Sequence, residues 1–312
     1  MMKRNLFLVL SLAVLLLVPL FVLDSFTRHL FILAFIYAII ASNWDISLGY
    51  CGVFNFGHMT FFATGVYTTA VMAKTFGINP WLAIPMGGAT AAFVALIISA
   101  PVARLKGIYV VLVTFAFSQL ALQLILSQSQ ITGGAEGMVR IPYLRIGDYK
   151  FTRDYKLGYY YAALSLLTCS TIFLLWLSQS PFGKSLQAVR DNEDYARARG
   201  ISITRQRVLA LVLSAVFTGI AGGFFAVYLR VASPEVLSFS TLSLALSMVL
   251  IGGAGTVIGP IIAAFVLIFA TEAMAGIRGM EEMRFIIVAV GMIFVLRFTP
   301  GGLVKLVSGK RT

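Results

Sequence analysis

Charge is scarce in this chain. Asp, Glu, Lys and Arg make up only 12% of it, against the roughly 25% of an ordinary soluble domain, which excludes a soluble enzyme of the usual type. Histidine is nearly absent: His29 and His58 are the only two, and no Asp, Glu, His and Cys group has metal-ligand spacing, so neither a metal nor a cofactor is implied. Cys51 and Cys169 lie in or beside apolar stretches without CxxC spacing. That excludes a disulfide framework and a thiolate site, and two free thiols are expected. Acid-base chemistry is equally thin, because Asp45 and Glu272 are the acidic residues at or inside apolar runs, far apart and on different segments.

What the chain has instead is apolar length. Of its 312 residues 59% are apolar, in unbroken runs rather than in the periodic alternation of amphipathic surface helices. A bilayer core of about 30 Å needs about 20 residues per crossing, so the chain has room for roughly ten. The runs fall near residues 6–23, 29–48, 59–75, 81–103, 108–127, 158–177, 207–229, 240–254, 257–275 and 284–298. The expected fold is an all-α polytopic membrane protein, a single transmembrane domain over residues 1–312. Lys3 and Arg4 before the first run imitate a signal peptide, but the run exceeds a usual h-region and no small-x-small site follows, so it reads as a retained helix.

The formal charge of +12 would suggest nucleic acid in a soluble protein. Here no nucleic acid partner is expected, because the positive residues sit singly or in small groups between apolar runs, the signature of membrane orientation. Lys3, Arg4, Arg104, Lys106, the positives from Lys184 to Arg207, and Arg297, Lys305, Lys310 and Arg311 fall on one side, 14 of the 24. That side, with both termini, is expected to be cytoplasmic. The other side keeps Arg28, Lys74, Arg230, Arg278, Arg284 and the longer polar segment at about 129–157.

Two segments interrupt the helical pattern. In the first, Gly49, Gly52 and Gly57 with Asn55 and His58 stand inside an apolar stretch. Non-helical backbone at membrane depth survives only where protein or a wet cavity surrounds it. The second holds Gly252, Gly253, Gly255, Gly259 and Pro260, a tight turn or helix break, since Gly and Pro are poor in helix interiors. Interrupted helices point to transport sites. A substrate path is therefore expected along Gly49, Gly52, Asn55, Gly57 and His58, with Phe54, Phe56, Phe61 and Phe62 as an apolar wall; the glycines at 252–259 are read as structural. Gly219 and Gly223 form a small-xxx-small pair for helix packing.

Gly183-Lys184-Ser185 imitates the end of a phosphate-binding loop, but the motif requires glycine where Ser178 stands, so the chain itself should bind no ATP. The surrounding segment, about 180–206, is a charged loop whose composition describes short helices. Asp191, Glu193 and Asp194 precede Arg197 and Arg199, the favourable order for a helix dipole, and Gly200 is a natural stop. Its mixture of charge with Tyr195, Ala196 and Ala198 suits a docking surface for a cytoplasmic protein.

This loop resembles the coupling loop of ABC importer permeases in Asp194-Tyr195-Ala196-Arg197-Ala198-Arg199-Gly200, with Tyr195 where a small residue is usual. Phe182-Gly183-Lys184, Ala188-Val189-Arg190-Asp191-Asn192-Glu193 and Ala196 to Ile201 are similar to the branched-chain amino acid permeases of the LivM type. Leu48-Gly49-Tyr50-x-Gly52 with Phe56-Gly57-His58, Arg104 to Tyr109 leading to Thr114, Ile131-Thr132-Gly133-Gly134-x-x-Gly137, and Gly252-Gly253-x-Gly255-x-x-x-Gly259-Pro260 follow in the same order, so the resemblance covers nearly the whole chain.

The resemblance implies a type II ABC importer-like permease in a bacterial inner membrane. Its expected partners are two ATP-binding subunits, a second homologous permease, an external substrate-binding protein and membrane lipid. The substrates implied are leucine, isoleucine and valine, with urea or short amides as the alternative inside the family and an ion-driven secondary transporter as the alternative outside it. The residues implied to couple to the ATPase are Arg190, Asp191, Asn192, Glu193, Asp194, Ala196, Ala198 and Gly200.

Overall fold

The computed structural model describes residues 2–22 and 24–275, with Val290, Ile293, Arg297 and Gly302 beyond them. The expected span at 284–298, apart from those positions, lies outside the described residues, as do Arg278, Arg284, Lys305, Lys310 and Arg311. The helices are α1 (Met2–Phe21), α2 (Ser25–Asp45), α3 (His58–Lys74), α4 (Pro80–Val102), α5 (Ile108–Ser127), α6 (Ser129–Thr132), α7 (Arg153–Gln179), α8 (Pro181–Asp191), α9 (Glu193–Ala198), α10 (Ile203–Leu229), α11 (Phe239–Gly252) and α12 (Ile258–Ala275). A π-helical turn, Ile46–Tyr50, continues α2. Extended structure among the described residues is confined to two-residue strands: β1 (Met138–Val139) pairs with β4 (Val231–Ala232), and β2 (Arg145–Ile146) with β3 (Tyr149–Lys150). The protein is an all-α membrane protein.

Five described helical stretches are long and apolar enough to cross a bilayer: Ser25–Tyr50, Pro80–Val102, Ile108–Ser127, Lys156–Gln179 and Ile203–Leu229. α11 has 14 residues, and at 1.5 Å per residue its roughly 21 Å fall short of a core of about 30 Å. α7 begins at Arg153, so the polar segment expected to run to 157 ends earlier.

Local chemistry explains several helix starts. Asp24 accepts from the Thr27 amide at 2.9 Å, which with the Thr27 hydroxyl holds its carboxyl below the usual range. Asn79 accepts from Trp81 with Pro80 at the first helical position, Ser180 accepts from Gly183 ahead of Pro181, and Ser238 accepts from Thr241. Each supplies an acceptor to a helix N–H that has none within the helix.

The bundle has two distinct ends. The strand end carries β1 to β4 and the start of α2, where buried Arg28 donates to the Pro19, Val22 and Asp154 carbonyls. The short-helix end carries α8, α9 and the connection between α4 and α5. Among the described residues, Arg104, Lys106 and the positives from Lys184 to Arg207 lie at the short-helix end, and Arg28, Arg145, Lys150 and Arg230 at the strand end. α2 is the hub: 83% of its most apolar window is buried, against 17% for α5.

α3, α4 and α10 meet through small residues. A Cβ at Gly65 on α3 would overlap the Gly219 carbonyl on α10, one at Gly219 would strike Ala91 on α4, and one at Gly222 would overlap the Phe62 carbonyl. Without a hydrophobic drive between helices in lipid, this backbone proximity supplies the association. Gly65→Val is expected to destabilise the bundle by about 1–3 kcal/mol, the usual cost of overpacking. Thermal unfolding in detergent should show the drop, whereas Cys169→Ala, at an exposed site on α7, should leave the melting temperature unchanged.

Candidate functional site

At the short-helix end, α8 stops because Asn192 turns extended, at φ −160° and ψ 108°. The same residue starts α9, its side chain accepting from the Tyr195 amide at 2.9 Å. Asp191 therefore closes α8 rather than opening α9, and Arg190 offsets its charge by donating from Nε at 2.9 Å. α9 ends as its composition predicts. Gly200 takes φ +78°, its amide bonds the Arg197 carbonyl at 2.9 Å and the Ile201 amide bonds the Ala196 carbonyl at 3.0 Å, the double closure of a Schellman motif. Ala196 faces inward and is fully buried. Asp194, Tyr195, Arg197, Ala198 and Arg199 are exposed, with the Arg199 guanidinium 5.3 Å over the Tyr195 ring.

The helix pair is clamped to the bundle by Glu193. Its carboxylate pairs with Arg207 at the start of α10 and with Lys106 at 3.3 Å, while Arg207 also donates to the Leu105 carbonyl at 2.9 Å. A rigid attachment results, because Arg207 is nearly buried and its fork meets both a carboxylate and a carbonyl.

The two interrupted segments meet beside α8. The Asp45 carboxylate accepts from the Gly255 amide at 2.8 Å. Arg190 donates to the Gly49 carbonyl at 2.7 Å. Arg190 also lies against Gly52 at φ +72° and Gly255 at φ +84°, where an added Cβ would approach its side chain to 3.0 Å in each case. A Cβ at Gly49 would overlap both Asp45 and the Gly255 amide. Glycine is thus required for close approach at Gly49 and for left-handed backbone at Gly52 and Gly255. Gly253 is also left-handed at φ +104°, and Gly252 packs so tightly on Gly259 that neither accepts a side chain. One guanidinium and one carboxylate therefore satisfy backbone groups freed by both breaks.

Beyond the junction, the 51–57 segment is sutured to α5: the Phe56 amide donates to Thr114 Oγ1 at 3.0 Å, and a Cβ at Gly57 would come within 2.7 Å of the Thr114 carbonyl. Asn55 accepts from the Gly57 amide at 2.9 Å. His58 Nε2 lies 3.0 Å from Thr218 Oγ1, and its ring stacks on Trp44 at 5.0 Å. Asn55 and His58 are both fully buried. Asn55 Nδ2, Trp44 Nε1 and Thr60 Oγ1 are buried without a hydrogen-bond partner among the described residues.

The family model described as branched-chain amino acid transport system / permease component matches residues 26–296. The chain belongs to this family. It is similar to the "High-affinity branched-chain amino acid transport system permease protein LivM" of Escherichia coli (strain K12), 29% identical over 97% of this chain and 76% of that protein. It is also similar to the "Probable branched-chain amino acid transport permease protein LivM" of Methanocaldococcus jannaschii, 24% identical over 70% of this chain and 73% of that one. A shorter likeness, 28% over 38% of each chain, links it to the "Ribose import permease protein RbsC" of Bacillus subtilis. No solved structure matches the chain.

In this permease subunit the sequence-selected residues divide between the short-helix end and the 55–58 segment, which packs against Thr114, Thr218 and Trp44. Gly49, Gly52, Gly255 and Arg190 touch, Glu193 anchors α9, and Asp194, Ala198 and Gly200 stay on the outer face. The apolar wall expected of four phenylalanines does not come together. Phe54 is half exposed, while Phe61 and Phe62, adjacent on α3 and so about 100° apart around a helix of 3.6 residues per turn, point into different packed clusters. Arg207, Lys106, Thr114 and Thr218 were not singled out as site residues; their partners are distant in sequence and leave no local pattern.

Asp45 offers a direct test of the junction. Asp45→Asn keeps an oxygen acceptor for the Gly255 amide, whereas Asp45→Leu leaves that amide unpaired, at about 1–3 kcal/mol. The leucine variant is expected to melt well below the asparagine variant in detergent; equal melting temperatures would show that the Gly255 contact contributes nothing.

Proposed function

We propose that this chain is the membrane permease subunit of an ATP-driven ABC importer that brings branched-chain amino acids into the cytoplasm. In this reading the chain pairs with a second, homologous permease, two ATP-binding subunits and an external substrate-binding protein. The strand end faces outward, the short-helix end and both termini face the cytoplasm, and the span count is ten, in a type II arrangement in a bacterial inner membrane. Family membership supports the transport role, and the names of the most similar relatives support the substrate class.

The observation that carries the mechanism is the Arg190 contact. ATP-driven closure of an ATPase pair is a rigid-body motion, and a short helix seated on it conveys that motion. The exposed face of α9, with an arginine-stacked tyrosine among charges, has the composition of an interface anchor. Motion of α9 reaches α8 across Asn192, and α8 holds the Gly49 carbonyl through Arg190. A shift of α8 therefore loads both helix breaks at once. The buried, unpartnered atoms of Asn55, Trp44 and Thr60 cost about 1–3 kcal/mol each in this packing, which favours a second arrangement in which they meet water or substrate. We accordingly place the translocation path beside Gly49, Gly52, Asn55, Gly57 and His58, closed in this state. An ion-driven secondary transporter is the alternative: it would couple through Asp45 or Glu272, and Asp45 is already engaged by the Gly255 amide.

Two measurements test this reading. Gly200→Val forces a β-branched residue into left-handed backbone, which such residues tolerate poorly. With the assembled complex in proteoliposomes, leucine uptake is expected to fall about tenfold or more, a loss of about 1.4 kcal/mol of coupling, while basal ATP hydrolysis persists; normal uptake would sink the coupling assignment. The path is tested by cysteine at Asn55 or His58 in a Cys51→Ala, Cys169→Ala background. Labelling by a membrane-impermeant thiol reagent should depend on ATP state, and complete protection in every state would mean that the path runs elsewhere.

A further inference from the structure

A further cavity lies away from the junction, at the strand end. It is an open crevice of about 240 Å³ between α2, α10, α11 and α12, lined by His29, Tyr37, Ser240, Thr241 and Glu272 together with apolar Leu33, Leu244 and Ile268. On the scale at which an engineered cavity of about 150 Å³ takes up benzene, this is room for a small organic molecule.

The register of α2 and α12 orders these groups by depth. Phe31 meets Phe269 with ring centroids at 5.0 Å, and Phe35 meets Phe265 at 5.6 Å, so the helices run antiparallel and each step up one is a step down the other. Extending that register sets Glu272 level with Arg28 and His29, at the mouth, and Ile268 level with Ile32 and Leu33, one turn deeper. α11 begins at Phe239, so Ser240 and Thr241 are also at the mouth and Leu244 a turn below. The crevice is polar at its rim and aliphatic one turn deeper, with Tyr37 a further turn along α2.

The rim carries the Glu272 carboxylate, and the Lys156 ammonium lies behind His29. Glu272 makes no hydrogen bond or ion pair with any described residue, and a carboxylate at such a site is costly, by about 2.5–3.5 kcal/mol on insertion scales at a helix centre and less near the end, until a cation arrives. His29 lies opposite. Its Nδ1 is engaged by the Tyr228 hydroxyl, which leaves Nε2 for a ligand, and the Lys156 ammonium lies 5.7 Å over the Tyr228 ring, adding positive potential behind it. The Ser240 and Thr241 hydroxyls are partly engaged with Ser238. The Thr271 hydroxyl is bonded within its own helix, so it offers a ligand little.

We infer that this crevice is a subsite for a zwitterionic aliphatic amino acid, with the ammonium on Glu272, the carboxylate toward His29, and the side chain on Leu33, Leu244 and Ile268. The inference rests on the import reading and deepens it: the outer mouth of the permease receives substrate before the path at the junction opens. The subsite is shallow and open, as release inward requires.

The test uses the assembled complex in nanodiscs, carrying Ser240→Cys in the Cys51→Ala, Cys169→Ala background, and an impermeant methanethiosulfonate reagent. Saturating leucine is expected to slow labelling about tenfold, equivalent to about 1.4 kcal/mol. Isocaproate, which lacks the ammonium group, should not protect, and Glu272→Gln should remove leucine protection without changing the labelling rate in its absence. No labelling, no leucine protection, or equal protection by isocaproate each overturns the subsite. ATP-dependent leucine uptake by the same complex separates the two readings. Uptake without protection overturns the subsite and leaves the importer standing; protection without uptake supports the subsite and overturns the importer.

Discussion

A backbone that leaves the helix inside an apolar bundle must have its amides and carbonyls satisfied by the protein itself, and in this chain that constraint is met by two side chains from different elements. Asp45 takes the Gly255 amide and Arg190 takes the Gly49 carbonyl. The rest of the short-helix end follows. Glycine is needed at Gly49, Gly52 and Gly255 because a guanidinium and a second backbone pass there, α8 must dock where Arg190 reaches the breaks, and Glu193 must be held by Arg207 and Lys106 for α9 to sit squarely on its outer side.

This arrangement gives the breaks their mechanical meaning. A break held only by its own helix would be a hinge without a handle, whereas here the helix holding it packs Leu186 and Val189 into the bundle and adjoins the exposed face of α9. The orphaned polar atoms of Trp44, Asn55 and Thr60 are the counterpart: this packing leaves buried polar groups without hydrogen-bond partners among the described residues. Bistability of packed elements, rather than continuous bending, is how small displacements become large ones.

The glycine seams of α3, α4 and α10 serve the opposite purpose. Backbones in direct contact through Gly65, Gly219 and Gly222 leave no side chains to repack, so these helices move as one body. The junction and the strand-end crevice lie at opposite ends of α2, with the glycine seam in the neighbouring helices.

Sequence alone determined the membrane class, the apolar helices among the described residues to within a few residues, the Gly200 stop and the family, because apolar run length, capping residues and glycine placement are local signals. It also singled out Asp45 as a carboxylate out of place and the two glycine segments as breaks. It did not bring them together, since Asp45 and Gly255 are separated by most of the chain and nothing local encodes their bond. Nor did it show that Phe61 and Phe62 diverge into separate clusters, or that Glu272 and His29 share a rim, because those depend on helix rotation and on the antiparallel register of α2 and α12. Tertiary packing decided these, for the physical reason that in lipid the helices are placed by close steric fit and by the hydrogen bonds of the few polar groups they carry, and both are properties of pairs of surfaces rather than of any one segment.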